Sequence, residues 1–453
     1  MTRINEPPRR RRIWLKLFLI VVLLAVGGTL VLWWIQSAAF ESELAAIDAQ
    51  GLPVNGAQLN DFYRVPEGSR DTTQEWMLAI DAAAATAEGQ ADDELPIVGN
   101  GPTPIPPAGT EWEQLQAASE FLDQNAEALS LIRDAADAGG CARFPVDFRD
   151  GIQALLPYAQ NSRAVSRLLM LDAHVASHNG DSGRALADVK GMFRLAAAFQ
   201  TEPAMVSQMV RMAIISAGCG VVADLLPGVE WTDAQLASLQ EYLRSADLLQ
   251  TSRIGIIGER AICLDEIART APRLTAQSNA SLALKFFAKS LEGLDQGWAG
   301  AIQAQRDVSQ EMRQNAAGIF NRIRHFAVLL LMPAQEQFTI AGARTAASQR
   351  CAICLIAAKR YFLQNGQYPS RLEDISIELF TPGIQSSSDT IDPFTGTPLK
   401  YQLTAEQLVI YSVGSDGKDD GGSVDSVQNA APLDVGVRLP LQNAGAESEA
   451  TAP

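Results

Sequence analysis

An acidic, glycine-rich loop near the C-terminus is the first candidate for chemistry. Its carboxylates and backbone oxygens are ligands that a hard cation such as calcium prefers. The loop is not an EF-hand: counting from Asp416, Lys418 and Val427 stand where that motif requires an Asp or Asn and a Glu. A solvated acidic turn explains the same composition, since Asp and Gly are common turn residues. The candidate calcium ligands are Asp416, Asp419, Asp420 and Asp425.

Two histidines lie four residues apart on a predicted helix. His174 and His178 therefore face the same side and could share a metal ion, whereas Asp172 lies on another face. No Glu follows His174 as the zinc-protease motif requires. We therefore expect surface or capping histidines at these positions.

Two cysteines have the spacing of a redox pair. Cys351 and Cys354 nevertheless lie within an apolar helical stretch, and no His follows Cys354 as haem attachment requires. An odd, sparse set of five cysteines is also not a disulfide framework. We expect two packed core thiols, with a thiol-redox role as the third functional hypothesis.

Other catalytic templates are missing from the sequence. It has no P-loop, no Gly-x-Gly-x-x-Gly and no Gly-x-Ser-x-Gly. Three histidines leave few ways to assemble a Ser-His-Asp site. Carboxylates that meet only after folding stay open as an alternative, because 52 acidic residues offer many combinations.

The N-terminus predicts a membrane anchor. Residues 17–35 contain neither a charge nor a proline, and a helix of this length, at about 1.5 Å per residue, nearly matches the roughly 30 Å hydrocarbon core. Arginines in segment 1–16 favour a cytoplasmic N-terminus. We predict a cytoplasmic tail at 1–16, a transmembrane helix at 17–36 in contact with the lipid bilayer, and an extracytoplasmic body. The alternative is a signal peptide cleaved near Ser37, although its apolar region is usually about 7–15 residues.

The charge of the chain restricts its partners. Segment 1–16 contributes +5 to the net charge of −16, which leaves −21 for the rest. An acidic body repels the phosphate backbone, so we expect no nucleic-acid partner.

Helical patterns dominate the predicted body at 41–335. A proline-rich strap at 95–109 interrupts them, because prolines do not fit inside a helix. The apolar run 326–332 ends at Pro333 and is far too short to span a bilayer, so we predict that it is core.

Two helix boundaries are well marked within this body. Apolar residues recur every three or four positions across 186–199, and the preceding helix ends at Asn179 and Gly180, which predicts a helical hairpin. Thr232 and Gln235 match a capping box and predict a helix start.

The pattern changes after Pro333. We predict a small α+β head at 336–425, with one long helix at 340–364 and a β-hairpin from strands at 399–403 and 408–413. The stretch 426–453 lacks aromatic residues and is predicted to be a disordered tail.

Three motifs follow one another in this head: Tyr361-Phe-Leu-Gln-Asn-Gly-Gln-Tyr-Pro, Asp392-Pro-Phe-Thr-Gly-Thr-Pro and Tyr411-Ser-Val-Gly-Ser-Asp-Gly. Over residues 340–425 they resemble the globular head of major type II secretion pseudopilins. The resemblance implies calcium in the acidic loop, with Asp416 and Asp425 as the nearest positional matches. The anchor departs from the family, because it lacks the Gly and Glu of a pilin processing site. We therefore expect no polymerisation as a pilin.

Three further motifs are Gly51-Leu-Pro-Val, Leu95-Pro-Ile-Val-Gly and Asp416-Gly-Lys-Asp-Asp-Gly-Gly. Through them the whole chain resembles uncharacterised single-span membrane proteins of planctomycete-type bacteria, which implies the architecture but no function. We predict a mainly α, single-pass protein of the inner (cytoplasmic) membrane. Its expected role is non-enzymatic interaction or assembly in the cell envelope, with envelope or secretion proteins as partners. A periplasmic hydrolase with a carboxylate-based site is the alternative.

Overall fold

A computed structural model describes residues 9–89, 94–101, 103–318, 321–322, 325–332, 334–380, 388–425 and 433–441. Within these ranges the protein is mainly helical and carries a small antiparallel sheet near the C-terminus, which confirms the predicted fold class at this level. The predictions for residues 1–8, 426–432 and 442–453 lie outside the described residues.

The elements follow one another in a simple order along the chain. The helices are α1 Arg9–Asp48, α2 Gly56–Phe62, α3 Thr73–Gly89, α4 Leu115–Gln124, α5 Ala126–Ala138, α6 Pro157–His178, α7 Ser182–Ala198, α8 Met205–Leu225, α9 Asp233–Ser245, α10 Leu248–Thr270, α11 Arg273–Asp295, α12 Gly297–Asn315, α13 Phe326–Leu331 and α14 Ala334–Asn365. Short 3-10 helices lie at Phe148–Gln153, Leu372–Asp374, Ile377–Leu379 and Ser388–Thr390. The strands are β1 Lys400–Leu403, β2 Gln407–Ser412 and β3 Val435–Pro440.

Helix α1 continues without a break from the basic N-terminal segment into the body. Its apolar residues 17–23 are all exposed, at 39–68% of their full accessible area. Seven consecutive residues cover almost two helical turns, so apolar side chains are exposed on every face here. The C-terminal part of α1 differs, because Phe40, Leu44 and Ile47 pack against the core of the body.

The predicted helix boundaries in the body are confirmed. Helix α6 ends before Asn179, Gly180 has a φ of +72°, and the Asp181 side chain accepts a hydrogen bond from the Arg184 amide to begin α7. Thr232 and Gln235 form both hydrogen bonds of the capping box at the start of α9. These signals are local, which is why they can be recognised in sequence.

The proline-rich strap crosses the helical body. The backbone carbonyl of Pro106 lies 2.9 Å from Nε2 of His178, at the end of α6. The Trp112 and His178 rings lie 5.0 Å apart. Ala108 packs so closely on Gly228 that any side chain at position 228 would clash with it.

Helix α14 is at the centre of the molecule. All residues from 351 to 358 are buried, because α8, α9, α10 and α12 pack around the helix and strands β2 and β3 cover it as well. The prediction of one long helix at 340–364 is confirmed, and the helix begins six residues earlier, at Ala334. The helix of the predicted head therefore also belongs to the core of the body.

The sheet has the order β1-β2-β3, with both pairs antiparallel. The hairpin of β1 and β2 is confirmed to within about a residue of the prediction. The prediction of a disordered tail at 426–453 was wrong for residues 435–440, which form β3. Val435, Val437 and Leu439 alternate with more exposed residues, so one face of a short amphipathic strand is buried.

Among the described residues outside α1, two helical stretches are long and apolar enough to cross a membrane: Met205–Leu225 and Phe326–Asn365. Length and composition alone define them, and 67% of the first lies buried in the body. Core packing therefore accounts for the apolar character of α8. The prediction that 326–332 is core was correct for Val328 and Met332 but wrong for Phe326 and Leu330, which are 64% and 65% exposed.

Candidate functional site

A cleft of about 550 Å³ lies between the C-terminal part of α1 and the α10–α11 hairpin. Its volume is typical of a small-molecule site. We call it the α1 cleft. Most of its lining is apolar and comes from three helices: Phe40, Leu44, Leu264, Ile267, Ala276 and Ala280.

A hydrogen bond lies at each end of the α1 cleft. Ser37 Oγ donates a hydrogen bond of 2.8 Å to Gln277 Oε1 at the end nearer to the apolar segment of α1. At the other end, the Gly56 amide donates a hydrogen bond of 2.6 Å to Asp265 Oδ2. Among the described residues that line the cleft there is no His, Cys, Lys or Arg. Two carboxylates, Glu41 and Asp265, also line the cleft. Because most of the lining is apolar, the arrangement suits the binding of an apolar group.

A pair of buried aspartates lies between α5, α6 and α7. Asp172 and Asp188 have no exposed side-chain surface. Arg133 and Arg184 both donate hydrogen bonds to Asp172, and Arg133 lies 3.4 Å from Asp188. Burial, followed by the negative charge of Asp172, raises the pKa of Asp188. The pair therefore keeps a proton that two separate aspartates would lose at neutral pH.

Sequence reasoning missed this pair. Asp188 lies between Ala185 and Met192 on the buried face of α7. An acidic residue at an apolar position of a helix is the one sequence signal that could have indicated this buried pair. Neither aspartate lines the α1 cleft or four smaller clefts of the described residues.

A second buried acid, Glu202, lies in the connection between α7 and α8. Tyr158 and Ser207 donate hydrogen bonds of 2.7 Å and 2.6 Å to its Oε1, and the Tyr63 hydroxyl lies 3.4 Å from Oε2. Burial raises the pKa of Glu202 to about 7, although the hydroxyl donors oppose that change. Phe144 stacks on Tyr158, so the acid is enclosed by aromatic rings and links three segments of the body.

The predicted calcium ligands do not converge in this structure. Asp416 and Asp420 are exposed. Asp419 accepts a hydrogen bond of 2.9 Å from the Tyr411 hydroxyl and lies 3.3 Å from the Lys400 ammonium, while Asp425 forms an ion pair with Arg438. Calcium binding by the loop stays a prediction.

An aspartate that sequence reasoning missed organises this loop. The buried carboxylate of Asp434 accepts hydrogen bonds from the amides of Asp420, Gly422 and Ser423, at 3.4, 2.9 and 3.1 Å. Its position directly before β3 brings it under the loop. Asp434 reaches the loop only because β3 pairs with β2, so the residues next to it in sequence do not indicate this role.

The histidines have separate environments. His174 is buried, and burial lowers its pKa to about 4, with a smaller contribution from the charge of His178. The ring of His178 contacts the strap instead, so the prediction of surface or capping histidines is correct for His178 and wrong for His174. Nowhere in the described part of the chain do three His, Cys, Asp or Glu side chains form a group that could hold a metal.

The Cys351 and Cys354 thiols are both free and fully buried, as predicted for core residues. They face different neighbours: Sγ of Cys351 lies 3.8 Å from the Val435 carbonyl, and Sγ of Cys354 lies 3.4 Å from the Asp389 carbonyl. Burial raises the pKa of both thiols, which keeps them in the unreactive protonated form.

Comparisons of the chain with known protein families, with curated proteins and with solved structures find no match. The function must therefore be argued from the α1 cleft, the buried acids and the exposed apolar surfaces.

Proposed function

We propose that this protein is a single-pass membrane protein that acts as a non-enzymatic interaction or assembly protein of the cell envelope. Residues 17–36 would cross the inner (cytoplasmic) membrane with the N-terminus in the cytoplasm. The helical body and the sheet would lie outside the cytoplasm, and the partners would be envelope or secretion proteins.

One observation carries this proposal: α1 is a single helix that is exposed and apolar at one end and packed into the body at the other. A helix with apolar side chains exposed on every face is typical of contact with lipid. Because the helix is continuous, the body is coupled directly to the anchor rather than tethered by a flexible linker. A rigid attachment suits a protein that presents a surface at a fixed height above the membrane.

The α1 cleft is the docking site that we propose for an apolar segment of an envelope protein. Ser37 lies two residues after the apolar segment, so the mouth of the cleft would lie about 3 Å along the helix from the bilayer end of the anchor. A partner that is itself bound to the membrane would reach this cleft. An apolar helix that lies in a groove is a common mode of recognition.

Crosslinking in native membranes tests the proposal. The tagged full-length protein would be crosslinked, gently solubilised and purified, and its partners identified by mass spectrometry. The substitution Ala276→Phe fills the α1 cleft, whereas Ala288→Phe makes the same change at an exposed position of the same helix. We expect the wild type and Ala288→Phe to retain an envelope protein that Ala276→Phe loses at an unchanged melting temperature.

If the Ala276→Phe variant crosslinks to the same proteins as the wild type, the proposed docking site is contradicted. Recovery of the chain without any protein partner, in all three forms, would contradict the interaction role itself.

The second candidate function is a periplasmic hydrolase, and the observation in its favour is the Asp172 and Asp188 pair. Two carboxyl groups that share a proton can supply an acid and a base. Both are buried and bound by arginines, so the body would have to open before a substrate could reach them. If the wild type hydrolyses a substrate and the Asp188→Asn variant does not, the hydrolase alternative is supported. If Asp188→Asn keeps the hydrolytic activity, the aspartate pair is not its catalytic site.

A further inference from the structure

Four large apolar side chains outside the core are strongly exposed at one end of the body. Ile152 and Leu155, in and just after a 3-10 helix, are 61% and 84% exposed. Phe326 and Leu330, one turn apart on α13, are 64% and 65% exposed. We call these four side chains the apolar rim. Exposed apolar residues are common singly, but several that share one surface mark an interaction site.

The two parts of the apolar rim meet at the α10–α11 turn. Ile152, Phe326 and Leu330 line one cleft of about 150 Å³ together with Ala271 and Pro272 of that turn. Segments that are far apart in sequence therefore contribute apolar side chains to one cleft, whose lining also includes the polar residues Glu266, Thr270, Thr275 and Asn279. Leu155 follows three residues after Ile152.

The same turn places the apolar rim beside the anchor. On one side of α11, Thr275 and Asn279 line the small cleft of the apolar rim. On the other side, Ala276 and Gln277 line the α1 cleft, where Gln277 accepts the hydrogen bond from Ser37. The apolar rim and the exit of the anchor helix thus lie on opposite sides of one helix end, at the same end of the body.

The described charged side chains around the apolar rim include both signs. Arg149 pairs with Asp147, and Arg269 lies 3.8 Å from Asp265. Arg322 donates a hydrogen bond to a backbone carbonyl, and the acids Asp150 and Glu266 lie in the neighbouring sequence. Among the side chains that the structure describes here, there is therefore no excess of cations that would select anionic headgroups.

We propose that the apolar rim inserts into the surface of the bilayer that holds α1, so that the body lies against the membrane through a second contact. The inference rests on the proposed anchor. Apolar residues that enter the boundary between headgroups and acyl chains bind through buried apolar area. The contact would set the tilt of the body and the direction in which the α1 cleft opens.

Site-specific fluorescence quenching in vesicles tests this inference on the full-length protein. All five native cysteines are buried, so a single introduced cysteine can be labelled selectively with an environment-sensitive dye. The test positions are Leu155→Cys and Leu330→Cys. The control is Leu363→Cys, an exposed leucine on α14 that lies about 44 Å along the helix from its N-terminal end. Val21→Cys reports on the anchor.

Vesicles of zwitterionic phosphatidylcholine, which has no net charge, with quencher-labelled acyl chains provide the readout. We expect several-fold stronger quenching at positions 155 and 330 than at 363, with no further increase when anionic lipid is added. The double substitution Phe326→Ser and Leu330→Ser should weaken the quenching at position 155.

The outcomes separate the two proposals. Quenching at position 21 together with equally weak quenching at 155, 330 and 363 would overturn the membrane contact while the anchor stands. Absence of quenching at position 21 would overturn the anchor itself. Quenching at 155 that the double substitution leaves unchanged would also count against the apolar rim.

Discussion

At the scale of single residues, Glu202 connects the stability of the body to pH. Its pKa of about 7 lies above the ordinary value of 4.5, so folding favours the protonated form. The stabilisation from this group is therefore fully present below pH 4.5 and is lost as the pH rises through 7. The gap between the two values corresponds to roughly 3 kcal/mol.

We expect Glu202→Gln to remove this dependence. Glutamine is isosteric with the protonated acid and can still accept hydrogen bonds from Tyr158 and Ser207. Melting temperatures of the detergent-solubilised wild type and variant should be similar at pH 5, and the variant should be the more stable at pH 8. Parallel pH profiles for the two proteins would show that Glu202 does not titrate as described.

The aspartate pair has an asymmetry that mutation can test. Asp172 accepts hydrogen bonds from both arginines, whereas Asp188 holds the proton of the pair. We expect Asp172→Asn to destabilise the fold by roughly 2 kcal/mol, less than for a fully buried pair because both arginines keep contact with water. Asp188→Asn should cost less than about 1 kcal/mol. Chemical denaturation of the two variants measures this difference, and equal losses would contradict the assigned asymmetry.

At the scale of elements, the acidic loop depends on a residue from the next strand. Asp434→Ala leaves three backbone amides without their acceptor, and we expect a loss of about 3 kcal/mol. Asp416→Ala removes an exposed carboxylate of the same loop and should change the stability by less than about 0.5 kcal/mol. Thermal unfolding of both variants provides the comparison, and similar losses would contradict the assigned role of Asp434.

Melting curves with calcium or a chelator test the predicted calcium site in the same loop. Calcium at 100 times its dissociation constant would stabilise the protein by about 2.7 kcal/mol. Calcium binding through Asp419 and Asp425 requires that their contacts with Lys400 and Arg438 be replaced. A melting temperature that calcium does not change would remove the loop as a metal site.

The elements also show how far sequence reasoning reaches. The capping box at Thr232, the Gly180 helix end and the long helix α14 were predictable, because each depends on contacts within a few residues. Strand β3 and the role of Asp434 were not, because both depend on pairing with β2. Local composition predicts calcium ligands within the loop, whereas a carboxylate that follows the loop in sequence, Asp434, orders its backbone.

At the scale of the whole molecule, the long helix α1 joins an exposed apolar segment to the core of the body. Its apolar segment was predictable from nineteen residues without a charge or a proline. Its rigid continuation into the core and the α1 cleft was not, because these features depend on α10 and α11. The apolar rim was likewise hidden, since residues near 152 and near 326 are brought together only by the tertiary fold.

The membrane anchor is the central claim, and alkaline carbonate extraction of membranes that carry the full-length protein tests it most directly. Leu23→Arg places a charge within the apolar segment, at a cost of about 2.5–3.5 kcal/mol for insertion near the helix centre, whereas Leu23→Val keeps the segment apolar. We predict that the wild type and Leu23→Val stay in the membrane pellet and that Leu23→Arg is partly released. A wild-type protein found in the carbonate supernatant would contradict the account.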